Sequence, residues 1–484
     1  MATRFTELLS AIVVLASVLV DASPASAHAF ETRYDLPLPL TLFITGAGAA
    51  VAFSFFIVVR FVRDEAASPK PRSFDLLRVK GSGWLLSSLV LNTLRSFSVV
   101  IFGLMVIAGL FGDPDPSKNI LPTFLWVVWW VGMAFISALF GNLWALVNPW
   151  KVLFSWFETV FGSFRHTRNY PIWLGRWPAV ILFLAFAWLE LVSEQAAHPA
   201  TLAILIITYS GITWFGMAIF GRVTWLENGE IFTAFYGLFA RFAPIARNAE
   251  RLDLQLPAMG LLDERPASFS AVCFVLLLLT TVTFDGILET PMWLGILDRV
   301  SNSLTMQSTA IALQLTKTDF IVVVKSIALI VFPCIFLGIF YVFSHAMAVF
   351  GGGRVPTSDV VGYFVMSLVP IAIAYHISHY LSYLLITGQK IIPLISDPFG
   401  FGWDLFNTVG YQVDISIVNA KIVWYTAVIT IVIGHVLAVY IAHVMATRVF
   451  TERDAALRSQ MPMLILMVAY TMISLWVMSQ PIVN

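Results

Sequence analysis

Ten separate runs of apolar residues, each about the length that crosses a bilayer, dominate this sequence and leave it little freedom. A hydrocarbon core of about 30 Å takes a helix of about 20 apolar residues. A chain that crosses it repeatedly has only helices or a closed barrel to use, because backbone polar groups find no water there. The runs fall near 39–61, 84–111, 121–145, 178–193, 199–220, 270–289, 320–344, 360–386, 420–445 and 461–480. The expected fold is therefore all-α: a polytopic helical membrane protein with about ten transmembrane helices. The second run is longer than needed and holds Arg95, so its first half reads as interfacial or tilted. The fourth is short.

Composition agrees. Of the 484 residues, 59% are hydrophobic and 12% are charged, where a soluble chain carries about 25% charge. Lys+Arg and Asp+Glu balance at 28 each, so no basic excess argues for nucleic acid. Cys273 and Cys334 both lie inside apolar runs and read as packing residues, without a disulfide or zinc framework.

Residues 1–27 have the form of a secretory signal. Arg4 gives the positive start, LLSAIVVLASVLV the apolar core, and Ala25-Ser26-Ala27 the small-residue cleavage site. An uncleaved anchor is the alternative. Cleavage leaves residues 28–484 as one multi-span membrane domain that begins with His28, whose ring and free α-amine can bind one metal ion together. Orientation follows the basic residues. One set of loops holds Arg63, Lys70, Lys151, Arg176, Arg222, Arg247, Arg354, Arg453 and others, whereas the opposite set holds only Arg33, Lys118, Arg299, Lys317 and Lys390. The rich set is expected on the cytoplasmic side, with the mature N-terminus and the C-terminus outside. Segments 149–170 and 230–251 interleave aromatic and basic residues, the pattern of amphipathic helices in the membrane interface.

Sorting ionisable residues by depth brings a set of donors to the outer side. The sixth run ends in TTVTFDGILETPMW, with Asp285 and Glu289 one turn apart. The eighth carries His376 and His379, three residues apart on one helix face. The loop after it, SDPFGFGWD, carries Asp397 and Asp404, and Glu190, Glu194 and His198 follow the fourth run. An ionisable residue inside a membrane helix is costly and marks a functional site by default. Imidazole nitrogen with carboxylate oxygen is the donor set of zinc, and copper is favoured where an N-terminal amine joins. The expected metal ligands are His28, His376 and His379, with Asp397 and Asp404 beside them. Asp285 or Glu289 is expected as the catalytic base or a further ligand. The plainer reading is that the two histidines hydrogen-bond to neighbouring helices.

The remaining histidines read otherwise. His345 and His443 fall at span ends where snorkelling suffices, and His166 lies in a basic segment. His435 is mid-span without a partner histidine at its depth, which argues against haem. Arg95 and Lys325 are expected to pair with a carboxylate or snorkel. Gly351-Gly352-Gly353 lacks the Lys-Ser/Thr of a phosphate-binding loop, and there is no internal repeat.

Five stretches carry a family resemblance: HAFETRYDLPLPL at 28–40, GNLWALVNPWK at 141–151, TFDGILET at 283–290, AYHISHYLSYLL at 374–385 and SDPFGFGWDLF at 396–406. Through them the chain resembles a group of bacterial polytopic membrane proteins labelled fenitrothion hydrolase, a membrane-bound organophosphorus hydrolase type. The resemblance implies a bacterial inner-membrane protein that hydrolyses aryl phosphotriesters or phosphorothioates, with a second protein subunit. A lipophilic substrate of this kind partitions into the bilayer, and Trp293, Phe399 and Trp403 are candidates to line its approach. The competing expectation is a copper-binding or copper-handling membrane protein, or a copper oxidase, built on His28, His376 and His379. A transporter is a further alternative, resting on Pro333 and Pro370 as breaks in spans seven and eight.

Overall fold

The computed structural model describes residues 34–61, 73–79, 83–84, 87–162, 168–248, 251–262, 265–312 and 316–483. The signal segment and His28 lie outside them, as does His166. Among the described residues, ten helices are long and apolar enough to cross a membrane. The chain is an all-α, multi-span membrane protein.

The spans are α1 (Leu40–Phe61), α2 (Ser88–Phe111), α3 (Ile120–Leu139), α5 (Ile172–Leu191), α6 (Pro199–Phe220), α8 (Phe269–Leu288), α9 (Lys317–Phe350), α10 (Thr357–Ser396), α11 (Ala420–Val449) and α12 (Arg453–Ser479). Two shorter helices lie between them, α4 (Pro149–Phe161) and α7 (Ile231–Ala240). The most buried spans are α8 and α10. They pack on each other, α10 packs on α11, and α11 and α12 in turn hold α1. Helix α9 packs on α12 and α8 at the rim and is the least buried span.

Several boundaries move for identifiable reasons. The third span ends at Leu139, not 145, because Gly141 turns the chain at φ 148°, and a Cβ there would stand 2.7 Å from the Ile245 carbonyl. The fourth begins at Ile172, so it has full length. Helix α9 runs unbroken through Pro333. Pro370, by contrast, opens the helical segment Val369–Thr387 just after a 3-10 turn at Val365–Leu368.

Helix α4 buries Pro149, Trp150, Val152 and Phe154 and exposes Trp156, Phe157, Val160 and Phe161, the two-faced form expected of it. Helix α7 does not lie at an interface. Ile231, Phe232, Ala234, Phe235, Tyr236, Leu238, Phe239 and Ala240 are all buried, so the helix is covered on every side. A helix that is apolar all round belongs inside a bundle. After it the chain forms a small antiparallel sheet, with β2 (Ile245–Asn248) and β1 (Phe74–Asp75) flanking β3 (Arg251–Leu254).

One carboxylate makes this insertion possible. Glu230, fully buried, caps α7 by accepting from the backbone N–H of Phe232 at 2.9 Å and of Thr233 at 2.8 Å. Tyr209 donates its hydroxyl at 2.7 Å, Asn148 its amide at 3.1 Å, and the Thr233 hydroxyl also donates. The start of α4, the middle of α6 and the start of α7 thus meet at a single carboxylate whose acceptor positions are filled by donors. We expect Glu230→Ala to lower stability by about 3 kcal/mol, since it strands several buried donors at once. Denaturant unfolding of the detergent-solubilised protein measures this, and an unchanged midpoint would contradict the keystone role.

Candidate functional site

The helices leave a cavity of about 600 Å³ at the end of the bundle where α5, α8, α10 and α12 finish and α11 begins. Its polar wall is Glu190 from α5, Asp285 and Glu289 at the end of α8, and His379, Tyr380 and Tyr383 from α10. Trp126, Ile386, Val423, Met478 and Ile482 supply apolar wall. No described lining residue is Lys or Arg. Tyr34 lies beside this cavity, its N–H donating to the carbonyl of the lining residue Ile482 at 3.0 Å.

The polar groups are joined. His379 Nε2 lies 2.9 Å from Asp285 Oδ2, and Tyr380 donates its hydroxyl to the same oxygen at 2.8 Å. The Tyr380 oxygen is also 3.3 Å from Glu190 Oε1, which accepts from Trp130 Nε1 at 2.7 Å. With Nε2 donating to Asp285, Nδ1 of His379 keeps a lone pair. A carboxylate that fixes the tautomer of an imidazole is the arrangement that makes histidine an effective base. Glu289 lies just past the end of α8. Burial of its carboxyl raises its pKa above the usual range, opposed by His379 and reinforced by Asp285.

The two tryptophans come from an unusual segment. Residues Phe124–Gly132 wind as a π-helix, wider than an α-helix. Such segments recur at functional sites. Here Trp130 reaches Glu190, while Trp126 donates from Nε1 to the Ala196 carbonyl at 2.7 Å and closes the cavity wall.

His376 goes elsewhere. It is 1% exposed, and neither ring nitrogen has a hydrogen-bond partner. Its ring sits among Trp130, Phe135, Phe235, Phe239 and Tyr380. The three-residue offset from His379 carries a residue about 4.5 Å along the axis and about 60° around it. That is enough to turn His376 from α8 toward α3 and α7. Asp397 and Asp404 cap their own loop: Asp397 accepts from the N–H of Phe401 and Gly402, and Asp404 from those of Thr408 and Val409. Glu194 and His198 are exposed and line no part of the cavity. Trp293 is buried against Phe284, and Phe399 packs with Phe401 and Trp403 in the loop.

Outside the cavity, His435 bonds back to the Ile431 carbonyl through Nδ1. His443 is buried and bonded to Gln460 at 2.9 Å, so it does not snorkel. Arg95 donates to Asn92, three residues back on its own helix.

The expected metal-ligand set is therefore not assembled among the described residues. No three described His, Cys, Asp or Glu side chains form a group that could hold a metal ion. His379 meets Asp285 through Nε2, and the His376 ring is packed among aromatic side chains. Sequence reasoning singled out Asp285, Glu289 and His379, placed Glu190 on the same side, and missed Tyr380 and Trp130. The signal for Tyr380 was its place beside His379 in YHISHYLSY. Nothing in LWVVWWV announces the π-helix.

Gly286 marks how tightly the site is built. A Cβ there would lie 2.8 Å from Val477 Cγ1 and 3.0 Å from the Tyr375 hydroxyl. Gly286→Ala is expected to wedge α8 from α12 and cost about 1–3 kcal/mol. Thermal unfolding of the purified protein reads that cost, and a midpoint equal to wild type would show that α12 can retreat freely. Comparison with protein-family models, curated proteins and solved structures finds no match to this chain.

Proposed function

We propose that the cavity is the reaction site of a membrane-embedded hydrolase acting on neutral, lipophilic organophosphorus esters, the aryl phosphotriesters and phosphorothioates. The observation that carries this reading is the His379–Asp285 pair in the wall of a cavity with both acidic and apolar lining. In the reaction, His379 Nδ1 takes a proton from water as the water oxygen attacks phosphorus, and the bond to the aryl oxygen breaks. General-base help of this kind contributes about 10²–10⁴ in rate. The charge of the cavity bears on the substrate class. The carboxylates of Asp285 and Glu289, with no Lys or Arg among the described lining residues, repel phosphate monoesters and diesters, which are anions, but not a neutral triester.

A second reading is a copper-binding protein. It is favoured by the excess of carboxylates and by the position of Tyr34 on the cavity rim, six residues after His28 in the sequence. In either case the charge bias of the loops supports placing the cavity on the outer face of a bacterial inner membrane.

Release of 4-nitrophenol from diethyl 4-nitrophenyl phosphate by the purified protein tests the first reading. Asp285→Asn and His379→Ala are expected to lower turnover about 10²–10⁴-fold, and the corresponding diester should remain intact. No release above protein-free controls refutes hydrolysis. Copper retained by the wild-type protein and lost in His28→Ala supports the second reading instead. A reporter fused after Gly388, on the cavity side, should be active outside the cytoplasm; cytoplasmic activity there reverses the orientation.

A further inference from the structure

Tyr380 stands between two carboxylates, 2.8 Å from Asp285 Oδ2 and 3.3 Å from Glu190 Oε1. A phenol has one proton to donate. Given over the shorter contact to Asp285, it leaves only lone pairs facing Glu190. An ionised Glu190 would then set lone pair against lone pair. A neutral Glu190 resolves the contact, because its hydroxyl can donate to the Tyr380 oxygen while accepting from Trp130 Nε1 at 2.7 Å.

Charge works in the same direction. The titratable groups facing the cluster are Glu190 on α5, Asp285 and Glu289 at the end of α8, and His379, Tyr380 and Tyr383 on α10. Helices α11 and α12 present Val423 and Met478, and α3 presents Trp126 and Trp130. Beside a neutral His379, three ionised carboxylates would crowd three negative charges into a largely apolar surrounding, and a proton on Glu190 removes one of them. Glu230 shows the opposite case. Both of its oxygens receive donors only, from Phe232, Thr233, Tyr209 and Asn148, as an ionised carboxylate requires.

We propose that Glu190 holds a proton at neutral pH and is the donor end of a four-group relay, Glu190–Tyr380–Asp285–His379, along the cavity wall. For its catalytic role this rests on the hydrolase reading; the location of the proton does not. In the reaction, Glu190 gives its proton to the departing aryl oxygen. His379 takes a proton from the attacking water at Nδ1 and passes its Nε2 proton to Asp285. Asp285 hands that proton to Tyr380 as Tyr380 gives its own to Glu190. The sum is ester plus water to acid plus phenol. Glu190, Tyr380 and Asp285 return to their starting states, and His379, left with its proton on Nδ1, regains the Nε2–H form by proton exchange with water before the next turnover.

Infrared spectroscopy of the full chain in lipid vesicles at pH 7 tests this. A carboxylic-acid C=O band that shifts in D2O is expected in the wild type. It should vanish in Glu190→Gln and move in Tyr380→Phe, where the acid loses its acceptor. Glutamine preserves the shape and the acceptor for Trp130, so Glu190→Gln is expected to fold, and Tyr380→Phe gives a second readout. Absence of the band in the wild type overturns the proposal. So does its persistence in Glu190→Gln, or its loss only in Glu289→Gln. Turnover of the triester is read separately: Glu190→Gln should lower kcat about 10²-fold with KM unchanged. A band lost in Glu190→Gln in a protein that hydrolyses nothing sustains the protonated Glu190 and refutes the hydrolase.

Discussion

Inside a bilayer a polar side chain has no solvent to fall back on, so each one drawn into the bundle must be answered by another group of the chain. Two carboxylates impose that constraint on this fold, and they are answered in opposite ways. Glu230 is surrounded by donors and draws α7 into the core as an ion. Glu190 meets one firm donor, Trp130, and a phenol already committed to Asp285. The first arrangement is a closed structural joint. The second leaves a group that can exchange its proton, beside a cavity large enough for a substrate.

The π-helical segment of α3 connects the two. Trp129 packs against Trp144, Trp150 and Phe232, the aromatic shell around the Glu230 joint. Its carbonyl accepts the Tyr236 hydroxyl at 2.7 Å, tying α7 to the same turn. The next residue, Trp130, faces the other way, toward Glu190 and the His376 ring. Adjacent residues of one wide turn therefore hold the inserted helix and orient the proton-bearing carboxyl. His376 contributes to this as packing: its ring fills an aromatic space between α10, α3 and α7, about one helical turn from the His379 imidazole.

The ten spans were legible because hydrophobic length is a property of the sequence alone, and only their ends shifted, as where Gly141 stops the third. Asp285 and His379 were legible because an ionisable residue near the end of an apolar run needs a partner, and each is the other's. His376 was misleading because a shared helix face in projection hides a full step in depth. Asp397 and Asp404 looked like ligands, yet a loop rich in glycine also needs carboxylates to gather its N–H groups, and that is how they are used. Helix α7 was read as interfacial from its aromatic and basic mixture. The basic residues Arg241 and Arg247 follow the helix, and the helix itself is apolar throughout.

The acidity of the cavity sets the terms on which the two functional readings compete. Any anion is repelled, so the occupant is neutral or cationic. A neutral ester leaves the proton on Glu190 in place and uses it. A divalent cation must instead gather carboxylates in their ionised form, because metal ligands bind deprotonated. It would have to expel the Glu190 proton, although the lone pair on Nδ1 of His379 is open to it with the Asp285 contact in place. Hydrolysis and metal binding thus make opposite demands on one carboxyl group. With Glu190 protonated, the resting arrangement is prepared for the neutral ester and must first give up a proton for the ion.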